Sequence, residues 1–333
     1  MPRAGPLSAQ IAANRPVPTM VTPALPPFAS VLKSRAVEDP INLWLHRPLA
    51  YGLVALIYRT PITPNQITLL AMLVGIAAGA CWLEGSPTMM VWGGVLLWSS
   101  AILDGADGIL ARAKQLFSEL GRSLDGSADA VVAAATVVPA FYHIWVKHHD
   151  ASYLLLAVPT VVSAVLHIEL YDYYKESFLQ RTRPDWDGQP ERLSEVEARG
   201  PALRAQGAPW IHRFATEMYI GLVRGQTRLV RLLDPIGLRG QLSFRVSAET
   251  VASYARHNRG PIRLWAMISL APHSYTMAIC GMFDRLELYL WLRLLLGNAL
   301  FIAVVLWQRR ASRRTLAELE ALGLAPEPWP AAD

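Results

Sequence analysis

Long apolar segments are the feature that most constrains the fold of this chain. An α-helix rises about 1.5 Å per residue, so about 20 apolar residues cross the roughly 30 Å of hydrocarbon in a bilayer. Of the 333 residues, 53% are hydrophobic and 17% are charged, which is typical of a membrane protein with additional polar segments. We therefore predict an all-α polytopic membrane protein with six transmembrane helices, at residues 66–83, 89–110, 124–146, 152–170, 262–283 and 286–307.

The distribution of positive charge predicts how these helices are oriented. If the N-terminus is cytoplasmic, the external loops 84–88, 147–150 and 284–285 carry only Lys147 and Arg285. Nearly all other Lys and Arg residues then lie inside, as the positive-inside rule requires. We expect an integral protein of a bacterial inner membrane. Its net charge of +5 favours contact with anionic lipid headgroups, and no basic and aromatic pattern indicates a nucleic-acid partner.

Four aspartates at helical spacing lie where the second and third predicted helices meet. The fixed points of this stretch are Asp104-x2-Asp107-Gly108-x2-Ala111-Arg112-x8-Gly121-x3-Asp125-x3-Asp129. One Asp at mid-membrane costs roughly 3 kcal/mol, so four of them need a compensating partner. Asp104 and Asp107 share one helix face, and Asp125 and Asp129 share a face of the next helix. Two facing helices would unite these carboxylates, whose hard oxygens suit two Mg²⁺ or Mn²⁺ ions that clamp a diphosphate.

Small residues accompany the aspartates on the same helix faces. Gly108, Ala111 and Gly121 have little or no side chain. A flat nucleotide base could therefore lie against the helix backbone. Close packing between membrane helices is the other interpretation of small residues at this spacing.

At these positions the chain resembles the class I CDP-alcohol phosphotransferase family, whose signature is D-x2-D-G-x2-A-R-x8-G-x3-D-x3-D. All eight fixed positions match. The resemblance implies that Asp104, Asp107 and Asp125 bind the metal ions, and that Asp129 shares a metal and acts as general base. It implies a homodimer in contact with membrane lipids and an active site at the cytoplasmic face. The residues that it implies for CDP binding are Asp107, Gly108, Ala111, Arg112, Gly121 and Asp125, with Arg112 on a phosphate oxygen.

The resemblance leaves the two substrates open. In one subset of the family, the donor is CDP-diacylglycerol and the acceptor is a polar alcohol. In the other, a CDP-linked polar head group is transferred to a lipid alcohol or an inositol phosphate. We favour the first, with a phosphatidylinositol-type or phosphatidylglycerol-phosphate-type product. The segment Thr63-Pro64-Asn65-Gln66-Ile67-Thr68 is similar to members that use inositol phosphates.

Three further residues are candidates for acceptor binding. Arg122 suits a phosphorylated alcohol, and His167 and Tyr171 lie at the cytoplasmic end of the fourth predicted span. The alternative for His167 and Tyr171 is a place in the interfacial belt of polar and aromatic side chains.

The remaining patterns divide the chain into six parts. They are a disordered tail (1–40), an interfacial amphipathic helix (41–60), four spans with the motif (61–171), a cytoplasmic insert with a second amphipathic helix (172–259), two spans (260–310) and a cytoplasmic tail (311–333). We expect the first half of the insert to be irregular because it contains Gly200 and Pro201.

Two other classes of protein also place carboxylates in membrane helices. A prenyltransferase binds diphosphate through metals, but its two Asp clusters lie far apart in sequence. A cation transporter usually spreads its carboxylates over several helices near mid-membrane. The single compact motif of this chain favours phosphoryl transfer over both.

Overall fold

The computed structural model describes residues 24–32, 34–116, 119–183, 193–207, 209–238 and 247–324. In these ranges the regular structure is helical, with no strand, and the prediction of an all-α membrane protein is confirmed. The principal helices are α1 (Arg47–Ile57), α2 (Pro64–Glu84), α3 (Pro87–Lys114), α4 (Glu119–His148), α5 (Ser152–Thr182), α6 (Leu193–Ala205), α7 (Trp210–Leu233), α8 (Ala248–Ala266), α9 (Leu270–Met282) and α10 (Leu286–Ala321).

Five helices of the described ranges are long and apolar enough to cross a membrane, one fewer than the six expected. They are α2, α3, α5, α10 and the part of α4 at Leu124–His148. The predicted span 262–283 is instead divided between the end of α8 and the 13-residue α9. Pro272 lacks the N–H that a continuous helix needs, and Ser269 is extended before the new first turn. Alone, α9 would cover only about 20 Å.

The starts and ends of α2 and α3 follow from local sequence. Thr63 and Gln66 form a capping box at the start of α2, where Pro64 occupies the first turn. Gly85 adopts a left-handed conformation after α2, and Ser86 accepts a hydrogen bond from Met89 N at the start of α3. The connection is therefore short, and α2 and α3 pack as antiparallel neighbours.

Glycines let α2, α3 and α4 approach closely. A Cβ atom on Gly79 of α2 would overlap the carbonyl oxygen of Ala135 on α4, and one on Gly93 of α3 would overlap the ring of Trp82. Trp82 is fully buried, and its Nε1 donates to Met90 O over 3.3 Å. This packing fixes the relative positions of the helices that carry the aspartates.

The other side of the molecule packs through large side chains. Tyr174 of α5 stacks on Trp265 of α8 at 5.1 Å between ring centroids, and Trp265 also meets Phe301 of α10 edge to face. These rings belong to a buried apolar cluster with Leu179 and Ile262. The same contacts explain why α5 continues to Thr182, beyond the predicted span end at residue 170.

The N-terminal segment and the insert differ from their sequence predictions. Residues 1–23 lie outside the described ranges, but Val31 and Val37, from the part predicted as a disordered tail, are buried. In the insert, Leu193–Ala205 is helical although it contains Gly200 and Pro201. Helix α6 packs along α7, and Arg224 pairs with Glu197 across the two helices. These tertiary contacts outweigh the local preference for irregular structure.

Candidate metal and phosphate site

Three carboxylates meet where α3 faces α4. Asp104 and Asp107 lie one helical turn apart on α3, and Asp125 lies in the first turns of α4. One ligand oxygen from each lies within 4.8 Å of the other two. Asp107 is only 7% exposed, whereas Asp125 is exposed. The cluster is therefore open on one side and anchored on the other, and its oxygen donors fit a hard divalent cation such as Mg²⁺ or Mn²⁺.

Asp129 lies beside this cluster. It follows Asp125 by one turn of α4, is half-buried, and interacts electrostatically with Asp104, Asp107 and Asp125. The ligand oxygens that lie within 4.8 Å of one another come from Asp104, Asp107 and Asp125, and the sharing of a metal by Asp129 stays a prediction. Asp129 is therefore placed to act on a group that is bound at the three metal-ligand candidates.

Thr68 is a site residue that the sequence interpretation did not assign. Its hydroxyl donates to Asp107 Oδ2 over 2.5 Å, and both residues are buried. The bond joins α2 to α3 and restricts the rotation of the most buried carboxylate of the cluster. Thr68 ends the Thr63–Thr68 segment, so the signal was present in the sequence but was interpreted only as an indication of substrate.

Arg112 is placed beneath the N-terminal segment. Its Nε donates to Val31 O over 2.5 Å, and its guanidinium lies 3.4 Å from the position of a Cβ on Gly108. The small-residue face at Gly108 is therefore covered in part by this side chain. Contact between Arg112 and a phosphate oxygen stays a prediction.

Arg47 is a second cation near the cluster, and sequence reasoning placed it only in an interfacial helix. Its Nε donates to Glu38 Oε2 over 2.8 Å, and its Nη1 donates to Gly105 O over 3.3 Å. Gly105 directly follows Asp104, so α1 brings positive charge to the edge of the acidic site. No sequence spacing connects Arg47 with the motif, because the contact depends on how α1 packs against α3.

Of the three candidate acceptor residues, the structure describes the side chains of His167 and Tyr171, and acceptor binding stays a prediction. His167 is buried and stacks on Phe301 at 4.5 Å between centroids. Tyr171 donates its hydroxyl to Val37 O over 2.7 Å. The side chain of Arg122 and the surroundings of Gly121 lie outside the described part of the structure. Another α5 residue, Asp172, is close enough for its charge to act on Asp129, and its carboxylate pairs with Lys175.

Comparison with known proteins gives a family match for the region that carries the aspartates. Residues 61–177 match the family model described as CDP-alcohol phosphatidyltransferase. A stretch of 92 residues is 39% identical to the bifunctional IPC transferase and DIPP synthase of Thermococcus kodakarensis, and it covers 25% of this chain. It covers 20% of that relative, so the chain spans about a fifth of the relative's length. The family match includes α2, α3, α4 and most of α5, and ends before α7, α8 and α10.

Proposed function

We propose that the protein transfers a substituted phosphate from a CDP-linked donor to an alcohol, because residues 61–177 match the family model described as CDP-alcohol phosphatidyltransferase. The observation that carries this proposal is the approach of Asp104, Asp107 and Asp125 to within 4.8 Å of one another. Clustered carboxylates beside a membrane are costly unless cations balance them. A diphosphate donor also requires cations, so the same ions would balance the charge of the carboxylates and that of the donor.

The reaction needs two roles from this chain's side chains. Asp104, Asp107 and Asp125 would hold divalent cations, which supply charge neutralisation for the diphosphate. Asp129 would accept the proton of the attacking hydroxyl. The new bond joins the acceptor oxygen to the donor's phosphorus, the bond between that phosphorus and the CMP oxygen breaks, and CMP leaves. The open side of the cluster at Asp125 leaves room for the donor.

Positive groups around the cluster suit the rest of the donor. Arg112 and Arg47 lie close enough to each other for their charges to interact, and the charge of Asp107 also acts on Arg112. If the N-terminal segment moves away from Arg112, its guanidinium can donate to a phosphate oxygen. Gly108 and Ala111 then leave the helix surface free for the nucleotide.

We favour CDP-diacylglycerol as donor and a polar alcohol, such as an inositol phosphate or a glycerol phosphate, as acceptor. The Thr63–Thr68 segment and the relative named as an IPC transferase and DIPP synthase support an inositol-phosphate substrate. The name of that relative also supports the second candidate, transfer of a CDP-linked head group to a lipid alcohol or inositol phosphate. In both cases we propose a homodimer with its active site on the cytoplasmic side of a bacterial inner membrane.

CMP release by the purified full-length protein tests these proposals. CDP-diacylglycerol and water-soluble CDP-alcohols are each supplied with a panel of alcohols, in Mg²⁺, Mn²⁺ or EDTA. We expect metal-dependent CMP release with one donor class and one acceptor. Release that continues in EDTA would contradict the metal site, and no release with any pair would contradict the reaction class.

A further inference from the structure

Helix α7 carries an exposed apolar stripe. Its residues follow one another at intervals of four along the helix and are Trp210, Phe214, Met218 and Leu222, which are 69%, 57%, 55% and 52% exposed. At about 100° per residue, they spread over roughly 120° of the helix circumference. A continuous exposed apolar surface of this kind marks a contact with another molecule or with a membrane. The described part of the chain leaves this surface uncovered.

The rest of the protein packs on the other faces of α7. Ile220 and Val230 are buried, and they lie about 140° to either side of the middle of the apolar stripe. The position of a Cβ atom on Gly200 of α6 is 3.3 Å from Ile220 Cδ1, and Arg224 of α7 pairs with Glu197 of α6. Helix α6 and the bundle therefore cover the side of α7 that is turned away from the stripe.

A contact with α5 fixes the height of α7 along the bundle. Gln226 Nε2 donates to Glu169 O over 2.8 Å. Between Ser152, where α5 begins, and Glu169, this membrane-spanning helix rises about 26 Å. Because the hydrocarbon of a bilayer is about 30 Å thick, Gln226 lies near one of its edges. Helix α7 is thus joined to the bundle at the height where hydrocarbon meets lipid headgroups.

Positive charge flanks the apolar stripe. Helix α7 contains four arginines and a single acidic residue, Glu217. Arg228 lies in line with Trp210 at one edge of the stripe, Arg213 lies about 60° beyond that edge, and both are exposed. A second copy of α7 on the stripe would bring like charges together, whereas the surface of an anionic bilayer complements them. Apolar and aromatic residues beside arginines are typical of a helix that lies in a membrane interface.

We propose that α7 lies in the plane of the membrane interface, with the apolar stripe among the acyl chains and with Arg213 and Arg228 on anionic lipid headgroups. The helices that are long and apolar enough to cross a membrane place a bilayer next to this surface. Long cationic side chains can reach from the edge of an apolar face to the headgroups. The surface lies outside residues 61–177, which match the family model, and it is independent of the proposed transferase reaction.

Spin labels on the full-length protein in nanodiscs test the proposal. The nanodiscs contain phosphatidylcholine mixed with phosphatidylglycerol, and the two cysteines of the chain are replaced by alanine. One label is attached at Phe214→Cys in the apolar stripe, and the control label at Ala198→Cys, an exposed position of α6. Oxygen concentrates in hydrocarbon, whereas a nickel complex stays in water. We expect the ratio of oxygen access to nickel access to be several times higher at position 214 than at position 198.

Two outcomes of this experiment would overturn the proposal. Equal ratios at positions 214 and 198 would leave the apolar stripe in water, and magnetic broadening between labels at position 214 would mean that the stripe packs on a second copy of the chain. If the cysteine-free chain does not fold, photoreactive benzoylphenylalanine at position 214 of the otherwise unaltered chain replaces the label. We then expect a crosslink to lipid, and its absence would equally overturn the proposal.

Lipid composition tests the role of the arginines. Arg213→Gln combined with Arg228→Gln removes two positive charges and leaves the apolar stripe unchanged. We expect the ratio at position 214 to fall in this double variant in the nanodiscs with phosphatidylglycerol, and to stay the same in nanodiscs of phosphatidylcholine alone, which carry no net charge. An unchanged ratio in both lipids, or an equal fall in both, would overturn the assignment of these arginines to anionic headgroups.

Discussion

The two sides of this bundle are held together in different ways. On the side of α2, α3 and α4, glycines such as Gly79 and Gly93 allow backbone to meet backbone or ring. On the side of α5, α8 and α10, the contacts are made by large rings such as Trp265 and Phe301, and a small cavity remains. The first side carries the aspartates and lies within residues 61–177, which match the family model. Most of the second side lies outside that match.

This difference follows from what each side has to hold in place. Carboxylates from separate helices must stay within 4.8 Å of one another. Backbone contacts permit little adjustment, so they fix the distance between helices more strictly than side chains that can change rotamer. On the other side, large rings fill the space between the helices. Changes on the two sides should therefore have different consequences.

The largest effect is expected from Asp125→Asn on the glycine-packed side. The change removes a charge but almost no volume, so the metal site should fail while the fold persists. We expect CMP release to fall more than about a hundredfold, since loss of groups that only support a metal ligand already costs ten- to a hundredfold. Asp150→Asn, in the exposed connection between α4 and α5, is the matched control. Near-normal turnover of Asp125→Asn in Mg²⁺ and Mn²⁺ would remove the metal site from this side of the bundle.

The sequence predicted the helices and the aspartate cluster because both depend on local spacing. Apolar runs define α2 to α5. The i, i+3 spacing of Asp104 and Asp107 and the i, i+4 spacing of Asp125 and Asp129 define the shared faces. It missed the break before α9, where Pro272 interrupts an otherwise apolar run. It also missed Thr68 and Arg47 as neighbours of the site, because their contacts with α3 join residues distant in sequence. Such contacts have no periodic signature in a single sequence.

The second largest effect is expected from Gly79→Ala. The added methyl group overlaps the backbone oxygen of Ala135, which cannot move away without shifting α4. Overpacking of this kind costs about 3 kcal/mol. Gly52→Ala on α1 is the control, because the described structure leaves open space there and Ala favours a helix by up to about 1 kcal/mol. Melting temperatures should show a large loss for Gly79→Ala alone, and an equal response of both variants would mean that backbone contact does not hold this side together.

A smaller effect, dependent on pH, is expected where the glycine-packed side meets α9. His46 is buried between Trp98 of α3 and Tyr275 of α9. Burial, with a contribution from Arg47, lowers its pKa from 6.5 to about 4. The unfolded chain therefore binds a proton that the folded protein excludes. The stability that depends on neutral His46 is complete above pH 6.5 and is lost as the pH falls towards 4, by about 2 kcal/mol at pH 5.

His46→Phe should reduce this acid sensitivity. The Phe ring fits among the same aromatic neighbours but cannot be protonated. Melting temperatures at pH 7.5 and pH 5 should differ less in this variant than in wild type, whereas His212→Phe, at an exposed position of α7, should keep the full difference. Equal acid sensitivity in His46→Phe and wild type would mean that a neutral His46 does not stabilise the contact between α3 and α9.

The smallest effect is expected from Thr68→Val, which keeps the shape of the side chain and removes the hydroxyl that donates to Asp107. The glycine-packed side should stay folded, because Val fills the same space. The Asp107 carboxylate loses the bond that orients it, and support of this kind is worth about ten- to a hundredfold in metal affinity. We expect the Mn²⁺ concentration for half-maximal CMP release to rise about tenfold, with little change in rate at saturating metal. Thr136→Val is the control, because the described bonds of that hydroxyl stay within its own helix, to Val132 O and Ala133 O. If Thr68→Val lowers the saturated rate and leaves the metal requirement unchanged, then Thr68 acts on the reacting groups, and backbone packing alone positions Asp107.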